Sequence, residues 1–387
     1  MKLLKNNFLF ALIFFLLTPL FTEPSLESSI KINFASDHNL LPEEIIMTAL
    51  EYSFCPIESE EGKICLLKFN SLKSAATRKF SDLSQIEAAE QLLAFLYESV
   101  LFKYSEGATY LNTTLLTGEY NCVTASILYL SLAKALGIRV YGQETKLHAF
   151  CTVYIDEKNY DVETTNPYGF NPGVKKETSR TENSRSYTYV PKKYYAGRRQ
   201  VSDRAFATLT GKNIASDLND TEDFDRAIPL EISRLEFLLA SDDSEVKTAR
   251  ADLDTLVTNY AIIQTKAKKS QEGAYFIEKT ASLWNWTQEL SKTYYICVYN
   301  AIADSLNKGD LKAAREMCAE KEPFLDAKDL SKLKATINRW HEVEVHNKFA
   351  NLYNAGKKDE ALSVLQTGLL ENPESSVLKK DLQRISH

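Results

Sequence analysis

The sequence predicts an α+β domain followed by an all-α helical-repeat region. Three observations carry this expectation. Helical periodicity comes first along the chain, short β-branched and aromatic runs cluster between residues 139 and 190, and strand signals stop after about residue 225. Helices followed by a strand meander imply an antiparallel sheet, because a parallel sheet would interleave the two.

The first 22 residues stand apart from the fold. Lys2 and Lys5 make a basic start, Phe8–Leu17 is an unbroken apolar run, and Thr18-Pro19 closes it. That is a secretory signal pattern, too short and too soon broken for a comfortable membrane span. Cleavage and retention as an uncleaved anchor both stay open, since no A-x-A precedes Glu23. Either way an exported protein of the periplasm or cell envelope is expected, with membrane contact only through this segment if it is kept. Residues 23–220 are then expected to form the α+β domain and residues 221–387 the helical one.

Within the first domain, Pro42–Phe54 and Gln85–Phe102 read as amphipathic helices, and a third runs from Cys122 to Leu136, closed by Gly137. Arg139–Gln143, Leu147–Ile155 and Asn159–Thr165 read as strands, with a turn in or beside Asp156–Asn159. Asn166–Arg185 is turn-rich, and Ser186–Val190 (SYTYV) resembles one more strand. In the second domain Gly309 and Gly356 each mark a turn, followed five residues later by Ala314 and Ala361. Small residues there let paired helices approach, so the stretch ending in ENP resembles a tetratricopeptide hairpin. Phe349 stands where a small residue is usual, and the interval between the glycines is 47 residues rather than that repeat's 34.

Composition narrows the function. The 387 residues carry a net charge of −6, which argues against a nucleic-acid binder. Six cysteines occur without a C-x-x-C, and histidine is scarce, so a zinc site is not expected; no motif names another metal or cofactor, and calcium dependence stays open without a D-x-[DN]-x-[DN]-G loop. Cys55 and Cys65 flank a polar segment read as a loop (PIESEEGKI), and a disulfide or two buried thiols fit the spacing equally.

The chemistry concentrates at residues 118–165. Cys122 begins the apolar helix, where unpaired N–H groups and the helix dipole favour a thiolate. His148 is the one histidine among the strands, and imidazole can both take a proton from a nucleophile and return it to a leaving amine. A tight even-numbered loop between the last two strands pairs even positions with odd ones. Glu163 then falls opposite Phe150 or Thr152 on the His148 face, with Asp161 two residues further off. Glu163 is therefore the expected acid, holding the His Nδ1–H, and Asp161 the alternative. Asn166–Gly173 reads as a cleft-mouth loop or a plain connector. Tyr187–Arg199 reads as a strand and solvated loop or as a site for an acidic or peptidic ligand, and Cys151 as a core thiol.

Gly118–Cys122, an apolar helix ending in Ala135-Leu136-Gly137-Ile138, then His148-Ala149-Phe150 and Val162-Glu163-Thr164-Thr165, together resemble the transglutaminase-like superfamily. The resemblance implies a papain-like fold with Cys122 as nucleophile, His148 as base and Glu163 as orienting acid. Glu163 stands where Asp is commoner in that family, and Phe150 where Trp is common. A second oxyanion donor besides the Cys122 N–H is left among Tyr104, Tyr120, Asn121 and Gln143. The activity so implied is attack on a peptide or amide bond, with hydrolysis expected over amine transfer because water is abundant and no amine site is evident. The rival expectations are a silent domain in a scaffold protein, with the helical repeats holding a protein partner, and a structural protein of the envelope.

Overall fold

The computed structural model describes residues 23–32, 39–172 and 192–385. The apolar run Phe8–Leu17, His38 and the SYTYV segment lie outside them. Among the described residues no helix is long and apolar enough to cross a membrane.

The chain builds an α-rich α+β protein with an antiparallel sheet. Helix α1 (Pro42–Glu51) starts with Pro at its first position and with the Glu44 carboxylate accepting from the Leu41 N–H at 2.7 Å. It stops short of the expected Phe54, because Phe54 takes a φ of 52° and the Cys55 N–H turns back to the Leu50 carbonyl. Helix α2 (Glu60–Phe80) corrects the loop reading: Ser59 caps it by accepting from the Gly62 N–H at 2.9 Å, and Cys65 lies within it. Cys55 and Cys65 are both buried free thiols.

Helix α3 (Gln85–Ser99) opens with a reciprocal Ser84–Glu87 cap and ends where the Val100 and Leu101 N–H groups both bond the Leu96 carbonyl. The chain then runs extended as β1 (Lys103–Tyr104), folds back through α4 (Leu111–Thr117), and pairs in parallel as β2 (Glu119–Tyr120). Helix α5 (Cys122–Ala135) follows at once and is buried from Val123 to Ala133. An all-round apolar helix must be enclosed, and α5 packs against α1, α3, the later helix Leu209–Asp220 and the sheet.

The sheet has the order β5-β4-β3-β6, with every neighbour antiparallel. Its strands are β3 (Val140–Glu144), β4 (Ala149–Ile155), β5 (Lys158–Val162) and β6 (Arg199–Val201). The β4–β5 turn is the pair Asp156-Glu157, with φ of 49° and 60°, the left-handed values a two-residue hairpin requires. Thr152 therefore pairs with Asp161 and Cys151 with Val162.

Helices α6 (Asp203–Ala207), α7 (Leu209–Asp220), α8 (Phe224–Leu238), α9 (Asp243–Lys266), α10 (Ser270–Thr280), α11 (Gln288–Asn307) and α12 (Leu311–Lys321) complete the main body. One continuous apolar interior runs from Leu40 to Ile337, so residue 221 marks a change of composition without a break in the core. Tyr52 packs on Phe237 at 6.2 Å between ring centres, and the Ser29 and Ile30 N–H groups donate to Ser233 Oγ. Helices α13 (Ala327–Asn354), α14 (Lys358–Glu371) and α15 (Ser376–Ile385) close a second, small cluster of Phe349, Ala361, Leu365 and Leu378.

Candidate active site

Asn121 sets the geometry of the α5 start. Its Oδ1 accepts from the Val123 and Thr124 N–H groups at 2.9 and 3.0 Å, while Thr124 Oγ1 accepts from the Asn121 N–H. The Cys122 N–H is left without a hydrogen-bond partner among the described residues. Of the six cysteines, Cys122 alone is half-exposed and the other five are buried.

His148 immediately precedes β4, held by the Thr145 N–H and Oγ1, which both donate to its carbonyl, at 2.8 and 3.2 Å. The ring lies within hydrogen-bonding reach of the Cys122 sulfur. Its Nε2–H donates to Glu163 Oε2 at 2.7 Å. The expected contact was through Nδ1; in the structure the ring is turned with Nε2 on the carboxylate, so Nδ1 is the nitrogen left over for the sulfur.

Glu163 is buried and saturated with donors. Oε1 accepts from the Thr165 N–H and hydroxyl at 3.0 and 2.7 Å, and Oε2 also accepts from the Tyr195 hydroxyl at 2.5 Å. Burial alone would push this carboxyl up, but His148, Tyr195 and Thr165 outweigh it and hold it below the usual range. For His148, burial favours the neutral ring, yet bonds to Cys122 and Glu163 and their charges win, and its pKa rises to about 10. Asp161 is occupied elsewhere, by Thr152 Oγ1 at 2.8 Å and by Arg198. The structure thus brings Cys122, His148 and Glu163 together and leaves Asp161 aside.

Cys122 and His148 open into a cavity of about 1170 Å³, with Tyr104 and Asn121 beside them. The opposite wall comes from α7 and α9, including Lys212, Asp217 and Asp252. Under that wall Glu144 accepts from Arg199 Nη2 at 2.6 Å and from Lys212 Nζ at 2.9 Å, and Lys212 also reaches Asp252 at 3.3 Å. Burial would raise the Glu144 carboxyl, but these two cations more than offset it and keep it low. The chain matches no protein-family model and no curated protein.

Residues that sequence reasoning did not place are Thr165, Tyr195, Arg198 and Lys212. Tyr195 and Arg198 belong to the Tyr-rich basic stretch, where a solvated loop or ligand site was expected. The described part forms a 3-10 turn (Lys192–Tyr195) and edge strand β6, with Tyr195 bonded to Glu163, Arg198 to Asp161 and Arg199 to Glu144. Asn166–Gly173 is described as far as residue 172, and none of those residues lines the cavity. Gly169 bonds the Glu163 backbone, and Phe170 bridges Val162. Cys151 donates to the Ser126 carbonyl in the core. Among the described residues no group of three or more His, Cys, Asp or Glu side chains is arranged to hold a metal ion.

Proposed function

We propose that this protein is an exported thiol enzyme of transglutaminase-like kind, acting on amide or peptide bonds through Cys122. The observation that carries the proposal is His148, fixed by Glu163 on one nitrogen and facing the Cys122 sulfur with the other at the mouth of an open groove. An imidazole whose pKa is about 10 holds its proton at neutral pH, so it serves as the acid of the first step.

The sulfur attacks the carbonyl carbon and the carbonyl electron pair moves to oxygen. His148 gives its Nδ1 proton to the leaving amine, the C–N bond breaks, and a thioester remains on Cys122. The neutral ring then takes a proton from water, the new C–O bond forms and the C–S bond breaks. An amine in place of water would give a new amide. Hydrolysis is the favoured outcome, because the groove is open and water is abundant. Glu163 orients the ring and stabilises its charged form throughout. A groove of this volume suits a peptide or protein substrate. The basic start and apolar run of the first residues support export, and the resemblance of the C-terminal stretch to a tetratricopeptide hairpin is what supports a protein partner there.

The test is a panel of peptides and primary carboxamides followed by mass spectrometry, for the wild type and Cys122→Ala. The proposal expects cleavage and a thioester adduct that vanish in the variant. Cleavage that survives Cys122→Ala rejects it.

A further inference from the structure

We propose that the Tyr104 hydroxyl is the second oxyanion donor of this site, acting beside the Cys122 N–H; this rests on the thiol-enzyme reading above. The four candidates in the sequence separate in the structure. The Tyr120 hydroxyl is buried and donates to the Tyr97 hydroxyl at 3.0 Å. Asn121 is committed to capping α5, and its Nδ2 points to the Glu106 carbonyl. Gln143 is buried on β3 opposite Phe150 and does not line the cavity. Tyr104 does line it, is half-exposed, and its hydroxyl has no hydrogen-bond partner among the described residues.

Its position follows from the short parallel ribbon. Tyr104 pairs with Tyr120, and the Ser105 N–H donates to the Tyr120 carbonyl at 2.9 Å. Tyr104 therefore stands one strand spacing, about 4.8 Å, from a residue only two before Cys122. The ring is fixed edge-on against the Tyr120 ring at 5.8 Å, so the hydroxyl is aimed with little freedom to lose. Burial, then the nearby Cys122 sulfur and the Glu106 and Glu163 carboxylates, raise the phenol pKa, which keeps its proton in place as a donor. A carbonyl oxygen turning negative after attack by Cys122 would meet two fixed donors, a backbone N–H and a phenol.

The experiment uses the full chain, a set of N-acetyl dipeptide aldehydes, and iodoacetamide. An aldehyde adds the sulfur to its carbon, and its oxygen, taking a proton from His148 or water, occupies the oxyanion position. Alkylation by iodoacetamide places no oxygen there. In Tyr104→Phe the inference expects an unchanged alkylation rate at Cys122 and an aldehyde affinity lowered about a hundredfold, the scale of losing one such donor. Equal aldehyde affinity in wild type and Tyr104→Phe overturns it. So does a wild type whose Cys122 alkylates selectively yet captures no aldehyde, which leaves the thiol-enzyme reading standing. A wild type inert to both reagents at Cys122 overturns that reading and this inference together. If Tyr104→Phe alkylates more slowly, aldehyde affinities are compared in Tyr104→His, which restores a donor: recovery supports the inference and no recovery overturns it.

Discussion

Gly169 and Glu163 lie so close that a β-carbon on Gly169 would sit 2.0 Å from the Glu163 carbonyl oxygen, while the Glu163 N–H donates to the Gly169 carbonyl at 2.8 Å. The acid of the candidate triad is thus held by its backbone as well as its carboxylate. Gly169→Ala must move one of the two segments, and the clash is with backbone, which cannot rotate away. The expected result is a folded protein with turnover lowered on the order of 10²-fold, because an angstrom of displacement is enough to break a positioned contact. Steady-state kinetics with circular dichroism as the folding control decide it.

Glu163 and Asp161 are separable by substitution. Glu163→Gln removes the charge that steers His148 and should cost on the order of 10²-fold or more in turnover. Asp161→Asn loosens its contacts with Thr152 and Arg198 and should leave turnover within a few-fold. A larger loss from Asp161→Asn than from Glu163→Gln reverses the assignment.

The titration of His148 and Glu163 fixes a pH window. His148 is raised from 6.5 to about 10, so its contribution to folded stability is complete below about pH 6.5 and is lost as pH climbs through 10. Glu163 is lowered from 4.5, so its contribution is present above that pH and is lost as pH falls through the folded-state value. Melting temperature against pH should show both limbs in the wild type and neither at full size in Glu163→Gln. The alkaline limb of the activity profile should also shift to lower pH in that variant.

Thiol accessibility gives a count. Cys122 is half-exposed and the other five cysteines are buried, so native protein should take up one iodoacetamide at early times, and denatured protein six. Intact-mass spectrometry checks both numbers. Early labelling at Cys55 or Cys65 contradicts their burial.

The C-terminal cluster is small enough to melt by itself. Phe349→Ala removes the largest side chain from four buried residues and should cost about 3–5 kcal/mol locally. Gly368→Ala should act similarly, since its β-carbon would lie 2.6 Å from a Val345 methyl. Hydrogen exchange should speed in 345–385 while the α5 amides keep their protection.

The segment from α5 to β5 was legible in the sequence because each signal there is local. An apolar helix starting at Cys122, short β-branched and aromatic runs and a tight turn near Asp156–Asn159 bring His148 and Glu163 onto neighbouring strands without reference to distant residues; the register, open between Phe150 and Thr152 in the sequence, and the capping by Asn121 come from the structure. Helix α2 was not legible, since its first turn is Glu60, Glu61 and Lys63 and reads as loop until Ser59 is seen to cap it. Strand β6 has three residues, below the length at which alternation can be recognised. The contact of Tyr195 with Glu163 spans 32 residues and follows no period, so composition gave only a tyrosine-rich stretch without a target. The far wall of the groove was hidden for the same reason: α7 and α9 lie far along the chain from Cys122 and His148, and α9 falls in the span assigned to the second domain.

That far wall has a consequence for biogenesis. The sulfur and the ring belong to residues 122 and 148, whereas Lys212, Thr248 and Asp252 on the other side are translated much later. A nascent chain halted before α9 would carry Cys122 and His148 with only the α7 side of that wall available. On the proposed reading, Cys122 would thus meet a complete groove only once the chain has been made as far as Asp252.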